Sequence, residues 1–249
     1  MTKRRWPKVL AIILILFVIF ILTAPASLIK DPITDANLPI KLSGYQGQLL
    51  NGKIQNVFIK GLNYQNLSWQ LKPLTALSGK FAAILELMDP RAELSVDVAF
   101  ASQEDWQFAD LKGRMALAPI TELFPMLSFT KPQGELVFHD LAVTFNETQF
   151  TESVGTIEWQ DANLTFNGQR IALGLITGQL SDDGENLYLD FNGNDGIAPK
   201  GQIKLTPLGV YTTEVTINTD ALPVSMSWIN NMGQRNPEGR LAISLKGSL

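Results

Sequence analysis

The residues of this chain that could do chemistry are few, and their spacing does not assemble a catalytic centre. The single histidine, His139, precedes Asp140. Neighbouring residues of a strand point to opposite faces, so these two cannot act as a base and its orienting partner. No serine stands in a Gly-x-Ser-x-Gly turn, and no glycine-rich stretch has the spacing of a phosphate-binding loop. We therefore predict no enzymatic activity and interpret His139 as a surface or groove residue.

One acidic stretch begins like a calcium-binding loop. Asp190, Asn192 and Asn194 alternate as the first ligands of such a loop do. The sixth position is Asp195 where the loop needs glycine, and the twelfth is Gly201 where it needs glutamate. We interpret this stretch as a turn and predict no metal and no cofactor. A second acidic cluster at 182–185 is expected to be a solvated hairpin tip.

The elements that position these residues begin with an N-terminal segment suited to a membrane. Four cations in residues 1–8 precede an uncharged run from Val9 to Ile29. As a helix with a rise of ~1.5 Å per residue, this run reaches about 31 Å, enough for a bilayer core of roughly 30 Å. Because cations stay on the cytoplasmic side, we predict a cytoplasmic tail at 1–8, a transmembrane helix at 9–29 and a periplasmic domain at 30–249. The expected membrane-interface residues are Trp6, Lys8 and Lys30.

A cleaved secretory signal is the alternative interpretation of the same segment. Ala24-Pro25-Ala26 has the small-x-small form of a cleavage site, and the apolar stretch from Val9 to Leu22 has the length of a signal core. We favour the uncleaved anchor in the inner membrane, while cleavage after Ala26 stays open. Both interpretations export everything that follows Lys30.

Composition restricts the class of the exported part. After Lys30 the chain has 15 Lys/Arg against 24 Asp/Glu, which excludes a nucleic-acid-binding protein. The chain has no cysteine, so the exported part must be stable without disulfides, as a bacterial periplasmic domain of this size can be.

Alternation of apolar and polar residues dominates the exported part and predicts strands with one buried face. Four stretches show the pattern clearly: "NLSWQL" (66–71), "ELSVDVAF" (93–100), "NLYLDF" (186–191) and "RLAISL" (240–245). Asn-Gly and Asp-Gly pairs between such stretches are typical of tight hairpin turns. We predict a mainly β fold of ten or more antiparallel strands. One or two short helices are expected, and the best candidates are 119–129, which Pro125 interrupts, and 222–233, which ends near Gly233.

Two neighbouring stretches resemble each other. "GELVFHDLAVTF" starts at Gly134 and "GTIEWQDANLTF" starts at Gly155. In the first, the apolar phase moves from Leu136 and Phe138 to Leu141, which predicts a bulge or a sharp bend near Asp140. An internal repeat and the general likeness of β-hairpins both explain the similarity.

Residues 38–79 carry a more specific pattern. It consists of Leu38-Pro39, glycines at 44, 47, 52 and 61, and a W-x-L-x-P-x-x-x-L-x-G arrangement formed by Trp69, Leu71, Pro73, Leu77 and Gly79. This segment resembles the N-terminal region of the type II (general) secretion pathway protein N family. Asn51 departs from the bulkier aromatic context that many members have before the glycine at 52, which affects the subfamily and not the family.

The resemblance implies an inner-membrane, single-pass accessory component that assists the export of folded periplasmic proteins across the outer membrane, with no enzymatic activity. The expected partners are the inner membrane and other type II secretion components. The β architecture of this family also looks similar to that of AsmA-like proteins. It implies an antiparallel, bent sheet forming an apolar groove or a filled sandwich, and an alternative function in binding or transferring phospholipid or glycolipid. The candidate lipid-facing residues are Val96, Val98 and Phe100.

Overall fold

The computed structural model describes residues 23–29, 40–101, 105–119, 130–146, 148–166, 168–222 and 224–248. Most of these residues lie in antiparallel β-strands, so the predicted mainly β class is confirmed. The chain divides into two compact units, Met1–Asp89 and Pro90–Leu249.

The first unit contains four strands that pair with their sequence neighbours. They are β1 (Ile40–Gly47), β2 (Asn51–Ile59), β3 (Leu62–Leu71) and β4 (Phe81–Asp89). The predicted strand at 66–71 lies within β3. A 3-10 turn, Pro73–Ser78, connects β3 to β4. The buried apolar side chains Ile54, Val57 and Tyr64 come from the central strands, and since Ile54 and Val57 are three residues apart, burial in β2 departs from strict alternation.

Residues 23–29, the last part of the predicted transmembrane segment, lie with the first unit. Pro25 forms an isolated bridge with Gln48, and the carbonyl oxygen of Ala24 accepts a hydrogen bond of 2.7 Å from the amide of Leu49. A 3-10 turn follows at Ala26–Ile29, so the predicted transmembrane helix does not continue to Ile29. Residues 1–22 and Lys30 lie outside the described residues, so the membrane segment and its interface residues Trp6, Lys8 and Lys30 stay predictions. Within the described part of the chain, no helix has the length and apolar character needed to cross a membrane.

The second unit is a meander of ten strands within the residues that the structure describes. Their bounds are β5 (Ala92–Phe100), β6 (Trp106–Ala116), β7 (Gln133–Asn146), β8 (Gln149–Phe166), β9 (Gln169–Asp182), β10 (Leu187–Gly193), β11 (Lys200–Leu205), β12 (Val210–Ile217), β13 (Gln234–Arg235) and β14 (Leu241–Ser248). The spatial order follows the sequence except at the end, where β14 lies between β12 and β13. The predicted strands at 93–100, 186–191 and 240–245 are confirmed.

The predicted helix at 222–233 is a 3-10 segment, Val224–Asn231, which ends before Gly233. Its sequence, VSMSWINN, combines β-branched, serine and asparagine residues, which lose rotamer freedom or compete for backbone hydrogen bonds in an α-helix. The other predicted helix, at 119–129, lies outside the described residues apart from Pro119.

The predicted bulge in β7 is confirmed. Asp140 has a φ of 49°, and the pairing of β7 with β8 shifts between His139 and Ala142. One extra residue at this point returns Leu141, Val143 and Phe145 to the face that carries Leu136 and Phe138. Positive φ accompanies register shifts in the neighbouring strands as well, at Asp110, Glu152, Asp161 and Gly174.

The buried core of the second unit lies where β8, β9, β12 and β14 contribute their apolar faces. Its most buried members are Ala162, Leu173 and Leu241, at 1–3% exposure. The loop after β10 adds Ile197 to this cluster. The core therefore depends on the bulges at Asp161 and Gly174, because they keep successive apolar residues of β8 and β9 on one face.

Candidate interaction surfaces

The glycine and tryptophan of the 38–79 pattern form one packed contact in the first unit. Gly52 in β2 pairs with Trp69 in β3, and the indole ring occupies the space where a β-carbon at position 52 would stand. Trp69 is 8% exposed, and its Nε1 donates a hydrogen bond of 2.9 Å to the carbonyl oxygen of Leu49. These two residues therefore fix the β1–β2 connection against β3.

The remaining glycines of the pattern have backbone roles. Gly44 and Gly47 both have positive φ and lie in β1, where a β-carbon would contact Gln55 or the carbonyl oxygen of Asn51. Leu38 and Pro39 lie outside the described residues. Gly47, Gly52 and Trp69 also line an open depression of about 500 Å³ whose other lining residues are mainly polar.

The second half of the pattern shapes an exposed turn. Pro73 begins the 3-10 turn Pro73–Ser78, and Gly79 ends it in the left-handed conformation, with its amide 3.1 Å from the carbonyl oxygen of Ala76. Leu77, a member of the pattern, is 88% exposed. The pattern therefore combines a buried packing contact with an apolar side chain held in solvent.

An open apolar groove lies in the second unit on the face that the bulged strands share. Its volume is about 360 Å³, at the lower end of the range of about 300–1,000 Å³ for small-molecule pockets. Trp159 in β8, Ile176 in β9 and Phe191 in β10 line it, with Ile203 and Val215 on the following strands. Gly178 lies in the lining and adds no side chain.

The candidate lipid-facing residues Val96, Val98 and Phe100 lie elsewhere in the second unit, on β5. Both valines are half-buried, and the ring of Phe100 is 5.2 Å from that of Trp106. Phe108 stacks on Trp106 at 6.3 Å, which makes a short aromatic row with each ring 36–39% exposed. Phe100 thus belongs to a partly exposed aromatic row, and none of the three candidate residues lines the apolar groove.

The titratable residues singled out in the sequence have structural partners. His139 Nε2 lies 3.7 Å from Glu158 Oε1 on the neighbouring strand, and both side chains are partly exposed. Asp183 accepts hydrogen bonds from the amides of Asn186 (2.7 Å) and Glu185 (3.0 Å) and from the Tyr188 hydroxyl (2.8 Å). These bonds, that from the Asn186 amide foremost, hold the pKa of Asp183 below its usual range. The 182–185 cluster is thus a hydrogen-bonded turn, as predicted.

The interpretation of the calcium-loop-like stretch as a turn is wrong for its first four residues, which belong to a strand. Asp190 and Asn192 lie in β10, and Asp190 Oδ1 accepts a hydrogen bond of 2.7 Å from Gln202 on β11. Across the residues that the structure describes, no group of three or more His, Cys, Asp or Glu side chains is arranged to hold a metal ion.

Sequence reasoning missed the exposed leucines, and although the family resemblance implied a groove or a filled sandwich, it did not identify the residues that line the groove. Leu77 of the Pro73–Ser78 turn belongs to a sequence pattern whose other members indicate packing, so the pattern does not indicate that the leucines of this turn are exposed. The groove draws residues from six strands, and no local spacing indicates which of them meet. Gly178 was a sequence signal for the groove, because a residue without a side chain leaves space in the apolar face of β9.

Comparison with known proteins gives one match, to a protein family. No curated protein and no solved structure matches the chain. The family model for type II secretion system (T2SS) protein N matches residues 39–244, which includes strands of both units and all the glycines of the 38–79 pattern. The chain belongs to the type II secretion system protein N family.

Proposed function

We propose that the chain is an accessory component of the type II secretion system, anchored in the inner membrane, which assists the export of folded periplasmic proteins by contact with other components. The family match over 39–244 is the observation that carries this proposal. The family is one of secretion components and not of enzymes.

The start of the described chain supports retention of the N-terminal segment. Ala24 and Ala26 are 2% and 1% exposed, and Pro25 bridges to Gln48. A cut after Ala26 would remove all three from the first unit. The folded first unit is therefore more complete when the anchor stays attached.

Contact with partners is proposed to use strand edges and exposed apolar side chains. Within the described residues, β1 is the outer strand of the first unit, and β13 pairs with only Ala242 and Leu241 of β14. The remaining backbone of β14 can accept an added strand from a partner.

The anchoring proposal is tested by replacing residues 1–22 with a cleavable export signal, which leaves the Ala24 and Pro25 contacts in place. Secretion of a type II substrate is measured in cells that lack the native chain. We expect secretion to fall although the periplasmic protein accumulates normally. Full secretion by the released form would contradict the need for an anchor.

The apolar groove favours a second function, in binding or transferring an envelope lipid. Its aliphatic and aromatic lining favours an apolar ligand over a polar one, and its volume suits a single acyl chain. The Gly178→Phe variant fills the groove from its lining, so it should lose lipid that copurifies with the native full-length chain. Leu208→Phe is the matched control, because Leu208 is 86% exposed on the turn between β11 and β12. Equal lipid content in the native chain and both variants would contradict this function.

A further inference from the structure

Three large apolar side chains stand in solvent within a short part of the first unit. Leu74 is 79% exposed, Leu77 is 88% exposed and Phe81 is 60% exposed. The two leucines lie on the Pro73–Ser78 turn, and Phe81 is the first residue of β4. Clustered apolar exposure of this kind marks a contact surface. We name residues 72–81 the apolar loop.

The apolar loop is held in shape by its own hydrogen bonds. Thr75 Oγ1 donates to the carbonyl oxygen of Lys72 at 2.6 Å, and Ser78 Oγ donates to that of Thr75 at 2.7 Å. The Gly79 amide closes the turn onto Ala76. Because the backbone is satisfied internally, the loop can present Leu74 and Leu77 outward without help from a partner.

Charge indicates the chemistry of the surface that the apolar loop meets. Lys72 and Lys80 flank the exposed leucines. Residues 40–89 carry five lysines against two carboxylates, Glu86 and Asp89, whereas residues 90–249 carry ten Lys/Arg against 20 Asp/Glu. The apolar loop therefore lies in a described stretch, 40–89, of net positive charge, in contrast to the acidic residues 90–249, which favours an anionic surface.

Backbone hydrogen bonds connect the apolar loop to Ala24, in the last part of the predicted membrane segment. The amide of Leu49 donates to the Ala24 carbonyl oxygen (2.7 Å), and the amide of Leu71 donates to that of Leu50 (2.8 Å). The amide of Lys72, next to Leu71, donates to the Ala82 carbonyl oxygen at 2.8 Å. Ala24 follows the apolar run Val9–Leu22 after a single residue, so no linker separates that run from this end of the first unit.

We propose that the apolar loop docks on the anionic phospholipid surface of the membrane that holds the N-terminal segment. Leu74, Leu77 and Phe81 enter the boundary between headgroups and acyl chains, while Lys72 and Lys80 lie at the phosphate groups. This inference rests on the anchoring part of the proposed function, and it adds a second, peripheral contact with the same membrane. The contact holds the first unit against the bilayer and fixes its orientation.

The test uses the absence of native cysteine. The full chain with the single substitution Leu77→Cys is labelled with an environment-sensitive fluorophore and reconstituted into vesicles of phosphatidylcholine and phosphatidylglycerol. Met88→Cys is the matched control, since Met88 is 54% exposed on β4 and lies seven residues from Phe81, about 23 Å along the strand. We expect a blue shift and several-fold stronger quenching by brominated acyl chains at position 77 than at position 88.

A charge variant tests the anionic surface. Lys72→Gln combined with Lys80→Gln should reduce the quenching at position 77 in the mixed vesicles and leave it unchanged in vesicles of phosphatidylcholine alone. Equal quenching in both vesicle types, with and without the lysines, would overturn the electrostatic part of the proposal.

Three results would overturn the docking itself. In the first, the chain floats with vesicles but position 77 stays as water-exposed as position 88, which contradicts docking and leaves the anchor intact. In the second, position 77 cross-links to a protein in native membranes and not to lipid, which assigns the apolar loop to a protein partner. In the third, the chain does not float with vesicles, which contradicts the anchor and the docking together.

Discussion

Asp140 of β7 lies opposite Gly155 of β8, and the conformation of each requires the other. Asp140 bulges with a φ of 49°, and a β-carbon at Gly155 would stand only 2.7 Å from Cα of Leu141. The same pairing recurs with the strands exchanged, since Asp161 of β8 has a φ of 49° and Gly134 of β7 faces its carbonyl oxygen. The two similar stretches of sequence thus share a backbone design, in which a glycine makes room for the bulge of its neighbour.

The bulge at Asp140 should tolerate asparagine and reject a β-branched residue. Asp140→Val places a branched side chain at positive φ, which costs about 1–2 kcal/mol, whereas asparagine adopts this conformation readily. Asp140→Asn loses the exposed ion pair between Asp140 Oδ1 and Lys112 Nζ at 2.9 Å, and ion pairs between exposed side chains contribute little to stability. Thermal unfolding of the full chain in detergent, followed by circular dichroism, measures both variants. Equal losses of stability would contradict the account of the bulge.

The contact of Gly52 with Trp69 should make Gly52→Ala destabilising by about 1–3 kcal/mol, as expected for overpacking a filled site. The indole cannot retreat easily, because it is buried and bonded to Leu49. Gly178→Ala is the matched control in another strand, since its nearest neighbour is the terminal Cδ1 of Leu189 at 2.8 Å, which a rotamer change can move. Denaturant unfolding of the full chain compares the two, and a larger loss for Gly178→Ala would contradict this explanation.

The exposed leucines of the apolar loop should matter for function and not for stability. Leu74→Ser combined with Leu77→Ser removes side chains that bury almost no surface, so the change in stability should stay within about 0.5 kcal/mol. We expect secretion of a type II substrate to fall. Leu208→Ser, at an equally exposed leucine, should change neither quantity. Normal secretion by the double variant would show that the apolar loop is dispensable.

The hairpin between β9 and β10 should lose stability only in acid. Hydrogen bonds hold the pKa of Asp183 below its usual value, which is about 3.9 in an unfolded chain. A carboxyl group whose pKa is lower in the folded state than in the unfolded state stabilises the folded state. This stabilisation is complete at pH values above the unfolded-state pKa and is lost as the pH falls toward the folded-state pKa. Asp183→Asn should therefore reduce exchange protection of the Phe150 amide, which bonds to Glu185 at 3.0 Å, by a constant factor above about pH 5. The difference should shrink below about pH 4, and a constant difference down to strong acid would contradict the assignment.

The strands and the β7 bulge could be predicted because the spacing of apolar residues along the local sequence indicates both. Leu136 and Phe138 followed by Leu141 leave one arrangement that keeps a single face buried. The helix at 222–233 is predicted from a C-terminal glycine, Gly233, which does not distinguish an α-helix from the tighter 3-10 form that Val224–Asn231 adopts.

The surfaces were harder to predict because they depend on distant residues. Because Leu77 follows Trp69 and Leu71 in the same pattern, the sequence suggests that it is buried. Only Gly79 indicates the turn that directs Leu77 toward solvent. The groove is lined by residues of different strands, such as Trp159 of β8 and Phe191 of β10, so its prediction requires the strand order. Val96, Val98 and Phe100 have the periodicity of a groove lining but lie on a different strand from those that line it.

The measurement that tests the central claim most directly is mass spectrometry of the full-length chain, isolated gently from native bacterial membranes with everything bound to it. The account predicts an intact mass that includes residues 1–26, together with other proteins of the type II secretion apparatus. A chain that begins at Ser27, or one that carries lipid and no secretion component, would contradict it.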